Sequence, residues 1–131
     1  MDRSGEIVLL RELNCSSDAR NINRYVRITG FVSDMDPFRG LCRITHDNYS
    51  LLVDTALIGT CKIVLGSLFQ FIGELKDAGG GMSDAPSAPV LILKARVCRC
   101  VDGMDMTLFA AALEARRRFV DRIAASIHPP A

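Results

Sequence analysis

The sequence predicts an all-β barrel of five strands, followed by one long amphipathic helix. Apolar and polar residues alternate in five separate segments between residues 25 and 101, which is typical of strands with one buried face. Gly30 and Gly73 interrupt two of these segments, where a closed barrel has to bend or bulge. Residues 105–127 contain neither Pro nor Gly and place their apolar residues at helical spacing.

The strands are separated by segments with the composition of turns. The five predicted strands are YVRITGFV (25–32), LCRITH (41–46), LLVDTAL (51–57), SLFQFIGEL (67–75) and PVLILKARVCRCV (89–101). Turns are predicted at SDMDPFRG (33–40) and at DNYS, and a longer loop at 76–89. The segment IGTCKIVLGS fits either a short helix or an irregular connection. Residues 1–24 fit a short strand or lead-in at IVLL, followed by a loop.

Five strands in this arrangement are typical of a small Greek-key barrel, the OB fold. We expect a single domain over residues 1–131, with the barrel at about 22–102 and the C-terminal helix at about 105–127. Hydrophobic residues make up 49% of the chain, so it is expected to be globular and not disordered. It has no run of about 18 apolar residues and no signal-peptide pattern, and we therefore expect a soluble intracellular protein.

The predicted helix has an apolar face that is wider than docking on one surface requires. The face spans an arc of roughly 180°, against about 100° for an ordinary surface helix. The arc consists of Met106, Leu108, Phe109, Ala112, Leu113, Ala115, Phe119, Val120, Ile123, Ala124 and Ile127. Arg116 is the only charged residue within it. Either the whole helix packs on its own barrel, or one side packs there and the rest meets another subunit. We favour the second interpretation, in which Arg116 needs a carboxylate or carbonyl from the partner.

The other face of this helix is charged. There the spacing predicts two i,i+4 ion pairs, Glu114–Arg118 and Arg117–Asp121.

The sequence offers little to support catalysis. It has no nucleophile, metalloprotease or phosphate-binding loop motif, and the acidic pairs Asp34/Asp36 and Asp102/Asp105 fit turn and cap positions. The five cysteines match no zinc-binding spacing. Cys98 and Cys100 fit buried or half-buried thiols better than a redox pair. We therefore expect no enzymatic activity, no metal and no cofactor.

The charge balance argues against tight nucleic-acid binding by this chain alone. Its net charge is +1, and it contains eight aromatic residues and no Trp. A modest cationic face is still conceivable, and its residues would be Lys94, Arg96, Arg27 and Arg43. Such a face would make accessory, salt-sensitive contacts to phosphates of single-stranded DNA. The alternative is that these cations are ordinary solvated strand residues.

Two motifs resemble a known family. VLGSLFQFIGEL (64–75), followed by KARVCRCVDGM (94–104) and the Arg-rich helix, is similar to the smallest subunit of the CST telomere-maintenance complex. The similarity extends from Val64 to Phe119 and is weaker through YVRITGFVSDM and SLLVDTAL. It does not extend to residues 1–20, the 79–89 insert or the last ten residues.

The resemblance implies a non-enzymatic OB-fold subunit of a complex that resembles replication protein A. In this family the C-terminal helix pairs with the middle CST subunit, and a large subunit completes the assembly. The resemblance implies a nuclear, telomeric location and contact with single-stranded telomeric DNA mainly through the complex. Phe119 corresponds to a family aromatic that is commonly Tyr. The predicted partner interface is Phe119, Leu113, Val120, Arg116, Ile123 and Arg122.

Three other functions remain open from the sequence. One is the smallest subunit of replication protein A, or a related heterodimer partner. Another is a free-standing nucleic-acid-binding OB protein. The last is an OB-like redox or small-molecule protein that uses Cys98 and Cys100.

Overall fold

The computed structural model describes residues 5–14, 21–59, 61–77 and 91–127. In chain order its elements are β1 (Glu6–Ile7), α1 (Leu10–Asn14), β2 (Tyr25–Asp36), β3 (Leu41–His46), β4 (Tyr49–Asp54), β5 (Leu68–Asp77), β6 (Leu91–Cys100) and α2 (Met106–Ile127). Strands β2 to β6 are the five predicted strands, and α2 is the predicted helix. The loop predicted at 76–89 lies mostly outside the described residues.

The strands close into a barrel because β2 pairs with two neighbours in succession. Residues 25–31 of β2 pair antiparallel with β5, and residues 31–36 pair antiparallel with β3. The sheet then runs from β3 to β4, from β4 to β6 in parallel, and from β6 back to β5. This order, closed by the β2–β5 pairing, confirms the predicted five-stranded OB barrel.

The alternation of the sequence maps onto the two faces of β2. Val26, Ile28 and Val32 point into the barrel and are almost fully buried. Thr29 lies on the opposite face but is also buried, and its Oγ1 accepts a hydrogen bond of 3.2 Å from Nε2 of Gln70 on β5. Their mutual hydrogen bond gives each of these two buried side chains a polar partner.

Several element boundaries differ from the sequence prediction. Strand β2 continues through Asp36, so the first turn begins at Pro37 and not at residue 33. The turn between β3 and β4 contains only Asp47 and Asn48, both with positive φ, as a two-residue hairpin requires. The segment between β4 and β5 was predicted to be either a short helix or an irregular connection. Its described residues, 55–59 and 61–67, form turns and irregular backbone.

The N-terminal segment is more structured than its sequence indicated. Glu6 and Ile7 pair in parallel with Val26 and Arg27 as an additional strand beside β2. The short helix α1 follows and buries Leu10 and Leu13 against the barrel core. Its first turn is closed by the carboxylate of Glu12, which accepts a hydrogen bond of 2.8 Å from the backbone N–H of Leu9.

A bulge in β6 changes which side chains face outward. Ile72 pairs with Val97, whereas the next residue, Gly73, pairs with Ala95, so Arg96 is the extra residue in β6. The alternation therefore predicted the wrong face for Val97. Strict alternation along β6 places Val97 on the same face as Ala95, but Ala95 is buried and Val97 is 49% exposed. The predicted bend at Gly30 is also displaced, because the register shift in β2 lies between Val32 and Asp34.

Gly73 lies where β5 and β6 approach each other most closely. A Cβ at this position would overlap the carbonyl oxygen of Lys94 and come within 2.7 Å of Ala95 Cα. Both obstacles are backbone atoms, which cannot rotate away as a side chain would. Glycine is therefore required here for the strands to pair through the bulge.

The fold brings together two cysteines that are 37 residues apart. Cys61, in the connection before β5, forms a disulfide with Cys98 of β6. The prediction that Cys98 is a thiol is wrong, because the irregular connection crosses the end of β6 in a way that sequence spacing does not reveal. Cys42 is a buried free thiol and Cys100 is an exposed one. Burial raises the pKa of the Cys42 thiol to about 11. Cys15 lies outside the described residues.

We predict that Gly73→Ala lowers the free energy of unfolding by about 3 kcal/mol, because the methyl group overlaps fixed backbone. Urea denaturation followed by circular dichroism measures the change. Gly59→Ala is the matched control. Gly59 has φ of +77° and nothing near its Cβ position, so only the cost of a left-handed alanine applies, about 1 kcal/mol. Equal losses in the two variants would contradict the steric argument.

We predict that iodoacetamide at pH 8 modifies Cys100 in the native, unreduced protein and leaves Cys42 unmodified. The raised pKa of Cys42 keeps its thiol neutral until the pH approaches about 11, and its burial excludes the reagent. Peptide mass mapping before and after unfolding in urea distinguishes the two sites. Modification of Cys42 in the folded protein at a rate similar to Cys100 would show that the position is accessible.

Candidate partner-binding site

The C-terminal helix is held to the barrel at its beginning. Asp105 caps α2, since its Oδ1 accepts hydrogen bonds from the N–H groups of Thr107 (3.0 Å) and Leu108 (3.1 Å). Just before this cap, Asp102 accepts a hydrogen bond of 2.7 Å from the N–H of Leu68 at the start of β5. That bond, with further hydrogen bonds from Cys100 and Ser67, lowers the pKa of Asp102 below its usual value. The acidic residues at this junction are thus cap and turn residues, as predicted.

Helix α2 buries only a narrow stripe against the rest of the protein. Met106 and Leu113 are buried, and the side chains of Phe109, Ala110, Glu114 and Arg117 are half-buried. These positions recur every three or four residues, as expected for one face of a helix. From residue 118 to residue 126 every side chain is exposed. The wide apolar arc is therefore only partly used within this chain.

The unused part of the arc forms an exposed apolar surface. Its large side chains are Leu108, Phe119, Val120 and Ile123, which are 67%, 62%, 53% and 43% exposed. We call these four residues the docking face. Complete burial of one such side chain contributes about 1.5–3 kcal/mol, so the face as a whole offers substantial binding free energy. An apolar cluster of this kind on one side of a helix is typical of helix-to-helix association.

The structure divides the predicted interface residues into two groups. Phe119, Val120 and Ile123 are exposed on the docking face, and Arg116 and Arg122 are exposed beside it. Leu113 differs from the prediction, because it points toward the barrel and is only 8% exposed. Helical periodicity places Leu113 on the same arc as Val120, but it cannot show which part of the arc the barrel itself covers.

A groove of about 600 Å³ separates α2 from the beginning of β2. It is lined by Gly5, Glu6, Ile7, Arg27, Leu113, Arg116, Arg117, Val120 and Asp121. Three arginines and two carboxylates meet along it, so the groove is charged but not of one sign. Arg116, which is expected to need a carboxylate or carbonyl from the partner, is exposed and lines this groove.

Charged residues fasten the middle of α2 to the N-terminal segment. Arg117 donates hydrogen bonds through Nη1 to Glu12 Oε2 (2.6 Å) and through Nη2 to the Ile7 carbonyl oxygen (2.7 Å). Arg11 forms an ion pair with Glu114. The i,i+4 pairs predicted within α2 are thus replaced, for Glu114 and Arg117, by pairs with α1.

The environment of Glu12 reflects these contacts. Burial by itself raises the pKa of its carboxyl. The hydrogen bonds from Arg117 and from the Leu9 N–H, together with the charges of Arg117 and Arg11, outweigh this effect and lower the pKa. The folded protein therefore favours the charged carboxylate. This preference stabilises the fold above the unfolded-state pKa of Glu12 and is lost as the pH falls through its lowered folded value.

The cations of the predicted DNA contact have different local surroundings. Lys94 lies opposite Asp54 on one neighbouring strand and opposite Glu74 on the other. Arg43 lies opposite Asp34 and donates a long hydrogen bond of 3.4 Å to Ser50 Oγ. Arg96 occupies the bulge of β6, and Arg27 lines the groove beside α2.

No group of three or more His, Cys, Asp or Glu side chains in the described ranges is arranged to hold a metal ion. Among the helices that the structure describes, none is long and apolar enough to cross a membrane.

Comparisons with known proteins agree with this architecture. The profile of a family described as "Telomere-capping, CST complex subunit" matches residues 1–122. The CST complex subunit TEN1 of Arabidopsis thaliana is 31% identical over 116 residues, which cover 88% of this chain and 86% of that protein. The family match includes the N-terminal segment, which we had not included in the resemblance.

Solved structures show the same fold. A chain in the crystal structure of the S. pombe Stn1–Ten1 complex superposes with a TM-score of 0.65 at 16% identity, covering 88% of this chain and 93% of that one. The telomere-capping protein Ten1 of S. pombe gives 0.66 at 15% identity, covering 88% and 99%. Together with the sequence matches, the barrel and its C-terminal helix establish that this chain belongs to the Ten1 family of telomere-capping CST complex subunits.

Proposed function

We propose that this chain is a non-enzymatic assembly subunit that binds an Stn1-like OB-fold subunit through the docking face of α2. The single observation that carries the proposal is the exposure of Leu108, Phe119, Val120 and Ile123 on a helix that is otherwise anchored to the barrel. A soluble monomer gains nothing from exposing these side chains to water, whereas a subunit interface buries them. The solved S. pombe complex, in which a Ten1 chain is paired with Stn1, supports this choice of partner.

The consequence of docking is mutual stabilisation. Burying the docking face removes apolar surface of both partners from water, and any ligand that binds only the folded state stabilises that state by mass action. Within the complete complex, which also contains the large CST subunit, this chain would hold its partner folded and correctly placed. Family membership supports a nuclear location at telomeres.

We propose that single-stranded telomeric DNA is bound mainly by the complex and not by this chain alone. Lys94 and Arg43 each lie opposite a carboxylate across the sheet, which reduces the local positive potential. Arg27 lines the groove beside α2, as do the carboxylates of Glu6 and Asp121. Arg96 is the extra residue of the β6 bulge, so no residue of β5 lies directly opposite it. The contribution of these cations is therefore accessory and sensitive to salt.

We predict that Phe119→Asp abolishes a one-to-one complex with the N-terminal OB domain of the middle CST subunit from the same organism. A charge at the centre of the docking face should weaken binding by at least about 30-fold. Co-purification followed by isothermal titration calorimetry measures the loss.

Phe38→Asp provides the matched control for this experiment. Phe38 is fully exposed but lies in the turn between β2 and β3, away from α2, and this variant should bind as the wild type does. Loss of binding in both variants, or in neither, would contradict the assignment of α2 as the interface.

We predict that this chain alone binds single-stranded telomeric DNA no more tightly than about 1 µM at physiological salt, as expected for weak non-specific contacts. Fluorescence anisotropy with a labelled telomeric oligonucleotide measures the affinity of the chain and of the complex in parallel. Submicromolar binding by the free chain would instead support an independent single-strand-binding protein.

A further inference from the structure

The orientation of α2 on the barrel depends on few contacts, because its second half is exposed. The two buried side chains of the helix, Met106 and Leu113, lie within its first eight residues. Most of the docking face, from Phe119 onward, lies beyond them within residues 118–126, whose side chains are all exposed. Two apolar contacts near one end hold a helix against a surface, but they restrain its rotation and tilt only loosely.

Between these two regions lie the contacts to the N-terminal segment. Arg117 binds the Glu12 carboxylate and the Ile7 carbonyl oxygen, and Glu114 pairs with Arg11. These contacts come from α1 and β1, which are themselves fixed to the barrel through the buried Leu10 and Leu13 and through the pairing of β1 with β2. We call Arg11, Glu12, Glu114 and Arg117 the clamp.

The clamp and the centre of the docking face lie on opposite sides of the helix. At about 100° per residue, Glu114 and Phe119 are separated by about 140° around the helix axis, and Arg117 and Phe119 by about 160°. A partner helix that packs on Phe119 and Ile123 therefore approaches from the side away from α1. Arg11 and Glu12 can influence this contact only by holding α2 in place.

We infer that the clamp fixes the orientation of α2, and that Arg11 and Glu12 are therefore positioning residues for the partner subunit although they lie outside the docking face. This inference rests on the proposed function. A surface that already has its bound orientation loses less conformational freedom when the partner docks, so preorganisation raises affinity without adding contacts. The N-terminal segment thus acts on the interface through α2.

The arrangement of charges permits a test that leaves the net charge of the protein unchanged. The clamp pairs are Arg11–Glu114 and Glu12–Arg117. R11E/E12R changes the two residues on α1 and places like charges in both pairs. E114R/R117E changes the two residues on α2 and has the same effect. The four-residue variant R11E/E12R/E114R/R117E makes both pairs complementary again with reversed polarity. Glu12→Gln serves as a milder variant, because it removes the charge but keeps an oxygen that can accept the Leu9 N–H.

Two measurements are made on the full-length chain. Amide hydrogen exchange of the free protein reports the order of α2, and calorimetric titration with the N-terminal OB domain of the middle CST subunit reports affinity. We expect each two-residue variant to bind about tenfold more weakly and to exchange faster in α2, with β2–β6 unchanged. The four-residue variant should bind more tightly than either two-residue variant but more weakly than the wild type, because it restores both charge pairs but not the bonds to the Leu9 N–H and the Ile7 carbonyl oxygen. Glu12→Gln should lie between the wild type and the two-residue variants.

The inference would be overturned if R11E/E12R bound like the wild type, or if the four-residue variant bound no better than the two-residue variants. Faster exchange throughout β2–β6 would show that the substitutions damage the barrel, and it would also count against a role confined to orienting α2. If the wild-type chain does not bind the partner domain at all, the proposed function fails and the docking role fails with it. The exchange data would still show whether the clamp orders the helix, so the two failures are distinguishable.

Discussion

The pairing of one strand with two neighbours determines most of this structure. Strand β2 pairs with β5 over residues 25–31 and with β3 over residues 31–36, and without this double pairing the five strands would form an open sheet with two exposed edges. Strands β5 and β6 pair along most of their lengths, and Gly73 allows their backbones to approach through the bulge at Arg96. Where β2 and β5 pair to close the barrel, Thr29 and Gln70 are buried and hydrogen-bonded to each other.

The closed barrel is small, and this limits how much of a 22-residue helix it can cover. At 1.5 Å per residue α2 is about 33 Å long, yet its buried side chains, Met106 and Leu113, both lie within its first eight residues. The first part of the helix therefore completes the fold, and the second part extends beyond it with an apolar side exposed. This division explains why Leu113 and Phe119 have different environments although they belong to one continuous apolar arc.

The sequence predicted those features that depend on local periodicity. Alternation identified each of the five barrel strands, and the absence of Pro and Gly with helical spacing identified α2 to within one residue of its start. These sequence patterns did not predict features in which one element determines the environment of a residue in another element. Val97 faces outward because of a bulge opposite Gly73, and Cys98 bonds to Cys61 because an irregular connection crosses β6. Neither fact leaves a trace in the spacing of the residues concerned.

The candidate partner-binding site was also only partly predictable from the sequence. The docking-face residues Phe119, Val120 and Ile123 could be identified because an excess of apolar surface on one helix is visible in the sequence itself. The clamp could not, because it joins residues about 105 positions apart. The segment IVLLREL did carry a signal, since Leu9, Leu10 and Leu13 lie at helical spacing with Glu12 three residues after Leu9. Its short length made this pattern compatible with a strand.

In the proposed function, the amphipathicity of α2 serves two associations with different physical requirements. The apolar side needs little directional precision, because hydrophobic burial depends on area and is almost independent of angle. The charged side needs defined geometry, because hydrogen bonds such as those from Arg117 to Glu12 and to the Ile7 carbonyl weaken steeply with misalignment. A helix held to its own barrel only by Met106 and Leu113 could still rotate and cover the docking face. In the proposed complex, the charged contacts from α1 prevent this rotation, and the docking face stays available for the partner.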